Sequence, residues 1–217
     1  MTFSNQNKAR KLAFKEENFQ KIISFLKKGK ILVLPTDTVY GFSCDAENKK
    51  AIKNLQNIKK RLENKPFLLL VSDFSMANKI VNFSFLAKKF AQKVWPGNCT
   101  IILPRKTNVF ENFFPQEKYL AIRVVKNNLL KNFLKDYWKK PLISTSINIS
   151  GQNLENDFNN IYQQFSSQKK VIFCFQKQKR NSLPSSIVKI NSKKISIIRE
   201  GVLSKDKIYS LSREIFN

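Results

Sequence analysis

Four polar segments carry the residue types that could do chemistry, and each stands beside a short apolar run. The first, Pro35-Thr36-Asp37-Thr38-Val39-Tyr40-Gly41, follows Ile31–Leu34 and brings hydroxyls, one carboxylate and a glycine that permits close backbone approach. An ordinary turn with a capping Asp has the same composition, so the residues alone leave both readings open. The second, Lys59-Lys60-Arg61-Leu62-Glu63-Asn64-Lys65-Pro66, sets three or four cations between a helical pattern and an apolar run. Cations suit a helix C-terminus because of its dipole. The same cations can clamp phosphates, Arg as a planar donor fork and Lys as a mobile point charge. Pro66 is expected to halt the helix and fix where Lys65 points. The third, Ile143–Gly151, holds Ser144, Thr145, Ser146 and Ser150, the amide Asn148 and a glycine without an intervening charge. It is either a polar connector or a loop that hydrogen-bonds a nucleotide or amino acid. The fourth pairs Pro184-Ser185-Ser186-Ile187-Val188 with Ile198-Arg199-Glu200-Gly201, each readable alone as a strand with a turn. Polar residues directly after buried strands are where α/β domains place ligands.

The absent residue types narrow the chemistry. The chain has no histidine, which excludes a His general base and a His-ligated metal. Cys44, Cys99 and Cys174 are odd in number and far apart, so neither a zinc site nor a disulfide framework is expected. Catalysis falls to Lys, Arg, carboxylates, hydroxyls, backbone amides or a substrate-bound cation. Neither a Gly-x4-Gly-Lys loop nor a Gly-x-Gly-x-x-Gly fingerprint occurs, so a bound nucleotide would be held by side-chain cations and a polar loop. The net charge of +25 arises from 33 Lys and 7 Arg against 15 acidic residues. It fits a polyanionic partner such as RNA, and it equally fits a compositional bias toward Lys, Asn, Ile and Phe. The apolar runs are strand-sized and the N-terminus lacks an apolar signal core, so a cytoplasmic protein without membrane association is expected.

The elements that must position these segments follow from periodicity. Helical faces recur over Glu16–Lys28, with Gly29 as its C-cap, and over Glu47–Lys60, with Ala51, Leu55 and Ile58 inward. One or two helices are expected over Ser75–Val94, and further helices over Asn127–Trp138 and Asp157–Phe165. Strands are expected at Ile31–Leu34, Phe67–Val71, Thr100–Leu103, Leu120–Val125, Leu142–Ser144, Val171–Phe175, Ser186–Ile190 and Ile195–Ile198. Strands alternate with helices early and cluster late, which predicts an α/β domain with a mixed, twisted sheet and flanking helices. The 217 residues read as one domain with a core of about 15–203 and short terminal extensions. Five glycines in the whole chain, at 29, 41, 97, 151 and 201, are expected where backbone geometry demands them.

Taken in order, the segments resemble the YrdC/Sua5 family. Leu34–Gly41 is similar to its opening signature, and Lys59-Lys60-Arg61 with Lys65-Pro66 to its Lys-x-Arg-x-x-x-Lys-Pro element. Trp95-Pro96-Gly97 with Thr100 resembles Trp-Pro-Gly-x-x-Thr, and Ala121-Ile122-Arg123-Val124 resembles a Val-Arg-Val strand. Ser144–Gly151 is close to Ser-Thr-Ser-Ala-Asn-x-Ser-Gly, with Ile147 in place of Ala. Pro184–Val188 and Ile198–Gly201 match the closing elements. The length implies the short form, without the extra C-terminal domain of longer relatives.

The resemblance implies a twisted α/β fold around a concave basic cavity. It also implies an enzyme that condenses L-threonine, bicarbonate and ATP to threonylcarbamoyl-AMP, releasing pyrophosphate, for modification of adenosine 37 in tRNA by a downstream transferase. Under that implication Thr36, Arg123, Ser144 and Ser185 hold threonine, Arg123 pairing its carboxylate. Lys59, Arg61, Lys65, Ser146, Asn148, Ser150 and Arg199 hold ATP as a Mg2+ complex, with Lys59, Arg61 and Lys65 the catalytic cations and no metal ligand among the side chains. The alternative is a non-catalytic RNA-binding module of the same fold, using a basic surface toward RNA or tRNA. Three departures stand out: Lys189 where the family has Asp, Leu70 where some relatives are polar, and Tyr119 where Thr or Ser is common.

Overall fold

The computed structural model describes residues 9–60, 67–113, 115–147, 155–176, 183–192 and 194–216. Its strands are β1 (Lys11–Ala13), β2 (Ile31–Leu34), β3 (Gly41–Asp45), β4 (Leu68–Val71), β5 (Cys99–Pro104), β6 (Tyr119–Val124), β7 (Leu142–Ser146), β8 (Val171–Phe175), β9 (Ser186–Ile190) and β10 (Ile195–Arg199). The α-helices are α1 (Phe19–Lys27), α2 (Lys49–Lys59), α3 (Phe74–Asn78), α4 (Phe85–Val94), α5 (Asn128–Asn132), α6 (Phe158–Phe165) and α7 (Lys205–Phe216). A 3-10 turn at Glu16–Asn18 leads into α1, and a π-helical segment, Phe133–Trp138, continues α5.

Among the described residues the strands form one mixed sheet in the order β1-β8-β2-β3-β7-β4-β6-β5-β9-β10. The sheet combines parallel pairs (β1/β8, β2/β8, β4/β6, β5/β9) with antiparallel ones (β2/β3, β3/β7, β4/β7, β5/β6, β9/β10). The twisted mixed α/β sheet expected from the order of periodic segments is the observed architecture. Side chains alternate across it, as a period of two requires. On the first face Val33, Phe42, Leu69, Ile101, Ile122, Ile143 and Val188 join residues of α2, α4, α6 and α7 in the larger apolar cluster. On the second face Leu32, Leu34, Leu70, Leu142 and Ile172 pack under α1, α5 and the π-helical segment.

That second cover is partial. Among the described residues, α1, α5 and the π segment shield β8, β2, β7 and β4, and no residue of β5, β6, β9 or β10 enters their cluster. The second face of those four strands carries Arg123, Thr100 and Ser185 beside Ile102, Ile187 and the exposed Ile198. A sheet face left without a helix must be polar or meet a ligand.

Four elements differ from the sequence expectation. Strand β1 is three residues long, too short for a periodic signal, and exists through its pairing with β8. Strand β3 begins at Gly41 and ends at Asp45, residue types that disfavour strands, yet it is held on both sides by β2 and β7. Because β3 is there to pair with, β7 runs past the expected end at Ser144 to Ser146, so Thr145 and Ser146 are strand rather than loop. The stretch beyond residue 203 forms α7, whose Ile208 and Leu211 enter the larger core. Helix α2 ends at a left-handed Lys60 (φ 47°), well before Pro66, and α1 is followed by Gly29 at φ +70°.

Candidate functional site

The site is built where β2, β3, β7, β6, β5 and β9 present their second face. Between β2 and β3, the segment 35–40 folds over on its own hydroxyls. Thr36 Oγ1 donates to the Val39 carbonyl at 2.7 Å and accepts the Thr38 amide at 3.3 Å, with the Thr38 hydroxyl 3.2 Å away. This ST-type turn replaces backbone pairing lost at the strand end. Gly41 then opens β3 against β7. A Cβ there would stand 2.7 Å from Ser144 Oγ and 3.3 Å from the Thr145 carbonyl oxygen. Gly41 is therefore required by close approach, and its neighbours bring Thr36, Ser43 and Ser144 together, with Ser43 Oγ donating to Ser144 Oγ at 3.2 Å.

Arg123 stands on β6 at 2% exposure, with Leu70 as its register partner on β4. Its Nη1 donates to Thr38 Oγ1 at 3.1 Å, and its Nε lies 4.0 Å from Asp37 Oδ2. The Asp37 Oδ1 accepts the amides of Lys126 and Asn127 at 2.9 and 2.6 Å, which ties segment 35–40 to the β6–α5 turn.

On the other side of Arg123, Trp95-Pro96-Gly97 sets the start of β5. Trp95 Nε1 donates to the Cys99 carbonyl at 2.7 Å, and the Gly97 amide to the Val124 carbonyl at 3.1 Å. Thr100 Oγ1 then lies 2.9 Å from Ser185 Oγ. Arg199 donates to the Ser185 carbonyl through Nη2 (2.7 Å) and Nε (3.2 Å). Its direction depends on a bulge: β10 pairs Ile197 with Val188 but Arg199 with Ile187, so Arg199 shares the face of Ile187 and Ser185. Gly201 closes this corner, because a Cβ there would fall on the Pro184 carbonyl and the Ser185 backbone.

Arg123 and Arg199 therefore lie near enough for one charge to act on the other, at a cluster of buried hydroxyls. Burial lowers the proton affinity of Arg123; Asp37 opposes this, and the nearby Arg199 charge adds to it. Burial also lowers that of Arg199. Like charges in partly dry surroundings are relieved by an anion between them. The Cys99 thiol beneath, pushed up to about 12 by burial, stays protonated and is no nucleophile. Hydroxyls, guanidiniums and backbone groups of this kind can bind and orient an anion, and none of them is an activated nucleophile.

Of the sequence-derived site residues, Thr36, Ser144, Arg123, Ser185 and Arg199 come together. Lys59, at the end of α2 and 2% exposed, donates to the Ser146 carbonyl at 2.8 Å, which puts its charge at the end of β7. Arg61, Lys65, Asn148 and Ser150 lie outside the described residues, as does Gly151. Asp37, Thr38, Thr100 and Ser43 were missed as site partners; Asp37, Thr38 and Thr100 lay inside the quoted motifs, but only the strand register reveals what they touch. The three departures fall at two places. Leu70 is buried in the second core cluster. Lys189 Nζ sits 4.2 Å from the centroid of the Tyr119 ring, so two departures form one cation–π pair on the open face. Among the described residues no group of three His, Cys, Asp or Glu could hold a metal. The one buried carboxylate here, Asp37, is committed to two amides and Arg123, so it does not fit a metal ligand.

The mixed α/β sheet thus carries, on one face, a cluster of buried hydroxyls with Arg123 among them and Arg199 beside them, side chains whose chemistry suits an anion. The family model for the Sua5, YciO and YrdC proteins, described as "Telomere recombination", matches residues 24–201, and the chain belongs to this family. A Methanocaldococcus jannaschii protein is 36% identical over 198 residues, covering 89% of this chain and 92% of the relative. The threonylcarbamoyl-AMP synthase of Vibrio vulnificus is 32% identical over 158 residues, covering 71% and 84%. Among solved structures, P. abyssi Sua5 complexed with L-threonine superposes with a TM-score of 0.81 at 20% identity, covering 94% of this chain. The chain spans 59% of the length of that Sua5. E. coli YciO superposes at 0.79 with 22% identity, covering 93% of this chain and 97% of YciO. At these identities the solved structures establish the fold.

Proposed function

We propose that the chain is a threonylcarbamoyl-AMP synthase, an adenylate-forming nucleotidyltransferase acting on L-threonine, bicarbonate and ATP. The observation that carries the reading is the placement of buried Arg123 on the Thr38 hydroxyl and of nearby Arg199 on the Ser185 carbonyl, with the Ser185 hydroxyl meeting Thr100. It is supported by curated relatives of that name at 30–32% identity. The open half of the second face is the floor of the basic cavity in this reading.

Arg123 takes the threonine carboxylate as a charge-assisted pair, with Thr36, Ser144 and Ser185 around the rest of the amino acid. Since Thr36 Oγ1 already serves the Val39 carbonyl and Thr38, its part is to shape the seat, and Thr38 is the hydroxyl that Arg123 touches. Lys59, Arg61, Lys65 and Arg199 neutralise the phosphates, while Ser146, Asn148 and Ser150 line the nucleotide. Magnesium belongs to the substrate here, carried on the phosphates. The threonine amine attacks the bicarbonate carbon, water leaves, and a carbamate forms. A carbamate oxygen then attacks the α-phosphorus, the bond from that phosphorus to the α,β-bridging oxygen breaks, and pyrophosphate departs. Both steps ask for positioning and charge neutralisation, which this side-chain set supplies without histidine. The product goes to a tRNA-modifying transferase, and the setting is the cytoplasm. No helix among the described residues is long and apolar enough to cross a membrane.

Pyrophosphate release tests the reading. The expected result is release that requires threonine and bicarbonate together. Binding of RNA with no turnover under the same conditions would contradict it and favour a non-catalytic RNA-binding module.

A further inference from the structure

We propose that Asp37 is the positioning residue of Arg123, holding the guanidinium in the orientation that receives the substrate carboxylate; this deepens the threonine reading above and rests on it. The Asp37 and Arg123 side chains are 4% and 3% exposed, so each is essentially removed from water. Asp37 divides its two oxygens between two tasks. Oδ1 accepts both amides at the β6–α5 turn. Oδ2 has no hydrogen-bond partner and faces Arg123 Nε, itself unpartnered, at 4.0 Å. Thr38, the next residue, accepts from Nη1. One short segment, pinned to the turn that follows Arg123, thus faces the guanidinium at two of its nitrogens.

A capping role alone would use Oδ1 and leave Oδ2 free to find water or a polar partner. Burying that second oxygen unpaired is costly unless it faces a charge. Burial and Arg199 both work against the charge on Arg123, and Asp37 is the largest influence in its favour. Asp37 touches no reacting atom in this reading; it acts through Arg123.

Asp37→Asn separates the two tasks, because the amide oxygen still accepts from Lys126 and Asn127 while the group facing Nε loses its charge and becomes a donor. Two measurements on the full chain decide: exchange of the Arg123 Nε–H by 15N NMR, assigned with Arg123→Lys, and steady-state kinetics. The expected result is faster Nε–H exchange and a threonine KM raised about tenfold or more, with kcat and the ATP KM within about threefold. Asp37→Glu, which restores the charge on a longer stem, is expected to lie between Asn and wild type, a rescue that a cap would not show. If Asp37→Asn does not fold, Asp37→Glu against wild type carries the test: a raised threonine KM with kcat retained supports the role. A wild-type threonine KM in the folded variant overturns the inference, whatever the exchange rate. A wild-type protein without threonine-dependent turnover overturns the functional reading and this inference with it, so the two failures are distinguishable.

Discussion

Arg123 lies almost wholly out of water, beside one carboxylate and within reach of the field of a second guanidinium. Removing a buried charged hydrogen-bond partner from a substrate typically costs about 2–5 kcal/mol. Arg123→Ala is therefore expected to raise the threonine KM about 100-fold while circular dichroism remains that of a folded protein; an unchanged KM would place the carboxylate elsewhere. At this scale the sequence was partly legible. Ser144, Ser185 and Arg199 could be picked out because they sit in short polar motifs beside strands, and Arg123, inside β6, only through the resemblance to a Val-Arg-Val strand. Their partners could not: Thr38 on Arg123, or Thr100 on Ser185, is a contact between residues 85 positions apart, fixed only by sheet register. The Tyr119–Lys189 pair is of the same kind. Two departures that look independent along the chain are one interaction in space, worth about 0.5–1 kcal/mol at an exposed site.

The elements act as rulers for these side chains. Pairing of β3 with β7 sets Gly41 opposite Ser146 and Ser43 opposite Ser144, and the Gly41 position leaves no room for a methyl group. Gly41→Ala is expected to destabilise the fold by about 1–3 kcal/mol through overpacking. Because the nearest obstructing atom is a side-chain oxygen, Ser144→Ala should recover part of that loss. Urea unfolding of the single and double variants checks this, and a double variant no more stable than Gly41→Ala would show that the Thr145 carbonyl sets the limit instead. The long apolar runs, β2 above all, were readable because each residue is buried. Strand β3 was not, because its Gly, Ser and Asp have poor strand propensity and its stability comes from two flanking strands. The bulge that turns Arg199 into the site leaves no sequence signal, although the arginine itself did.

For the whole molecule, composition set firm bounds on chemistry and weak ones on partners. A chain without histidine directs attention to guanidiniums, ammonium groups and hydroxyls, and those are what the open face presents. The charge of +25 is spread over the chain and has no such single location. Global stability carries its own pH signature. Burial raises the pKa of all three cysteines, that of Cys99 from 9.0 to about 12. Above pH 9.0 the unfolded chain releases thiol protons that the folded chain retains until about pH 12. The folded state then binds more protons than the unfolded one, so stability is full below the lower value and falls as pH rises through the window. Under reducing conditions the urea midpoint should decline from about pH 8.5 to 10.5, and less steeply in Cys99→Ser. Equal slopes would show that Cys99 is not the group responsible.

In the reaction proposed above, the hydroxyl-lined face joins threonine, bicarbonate and the adenylyl group of ATP. Mass spectrometry of the reaction with 13C-bicarbonate tests it most directly. The expected product is a threonylcarbamoyl-AMP that carries the label in its carbamoyl carbon, formed together with an equal amount of pyrophosphate and, at threonine well below saturation, far more slowly in Arg123→Ala. Pyrophosphate formed without threonine, or an adenylate lacking the labelled carbon, would contradict it.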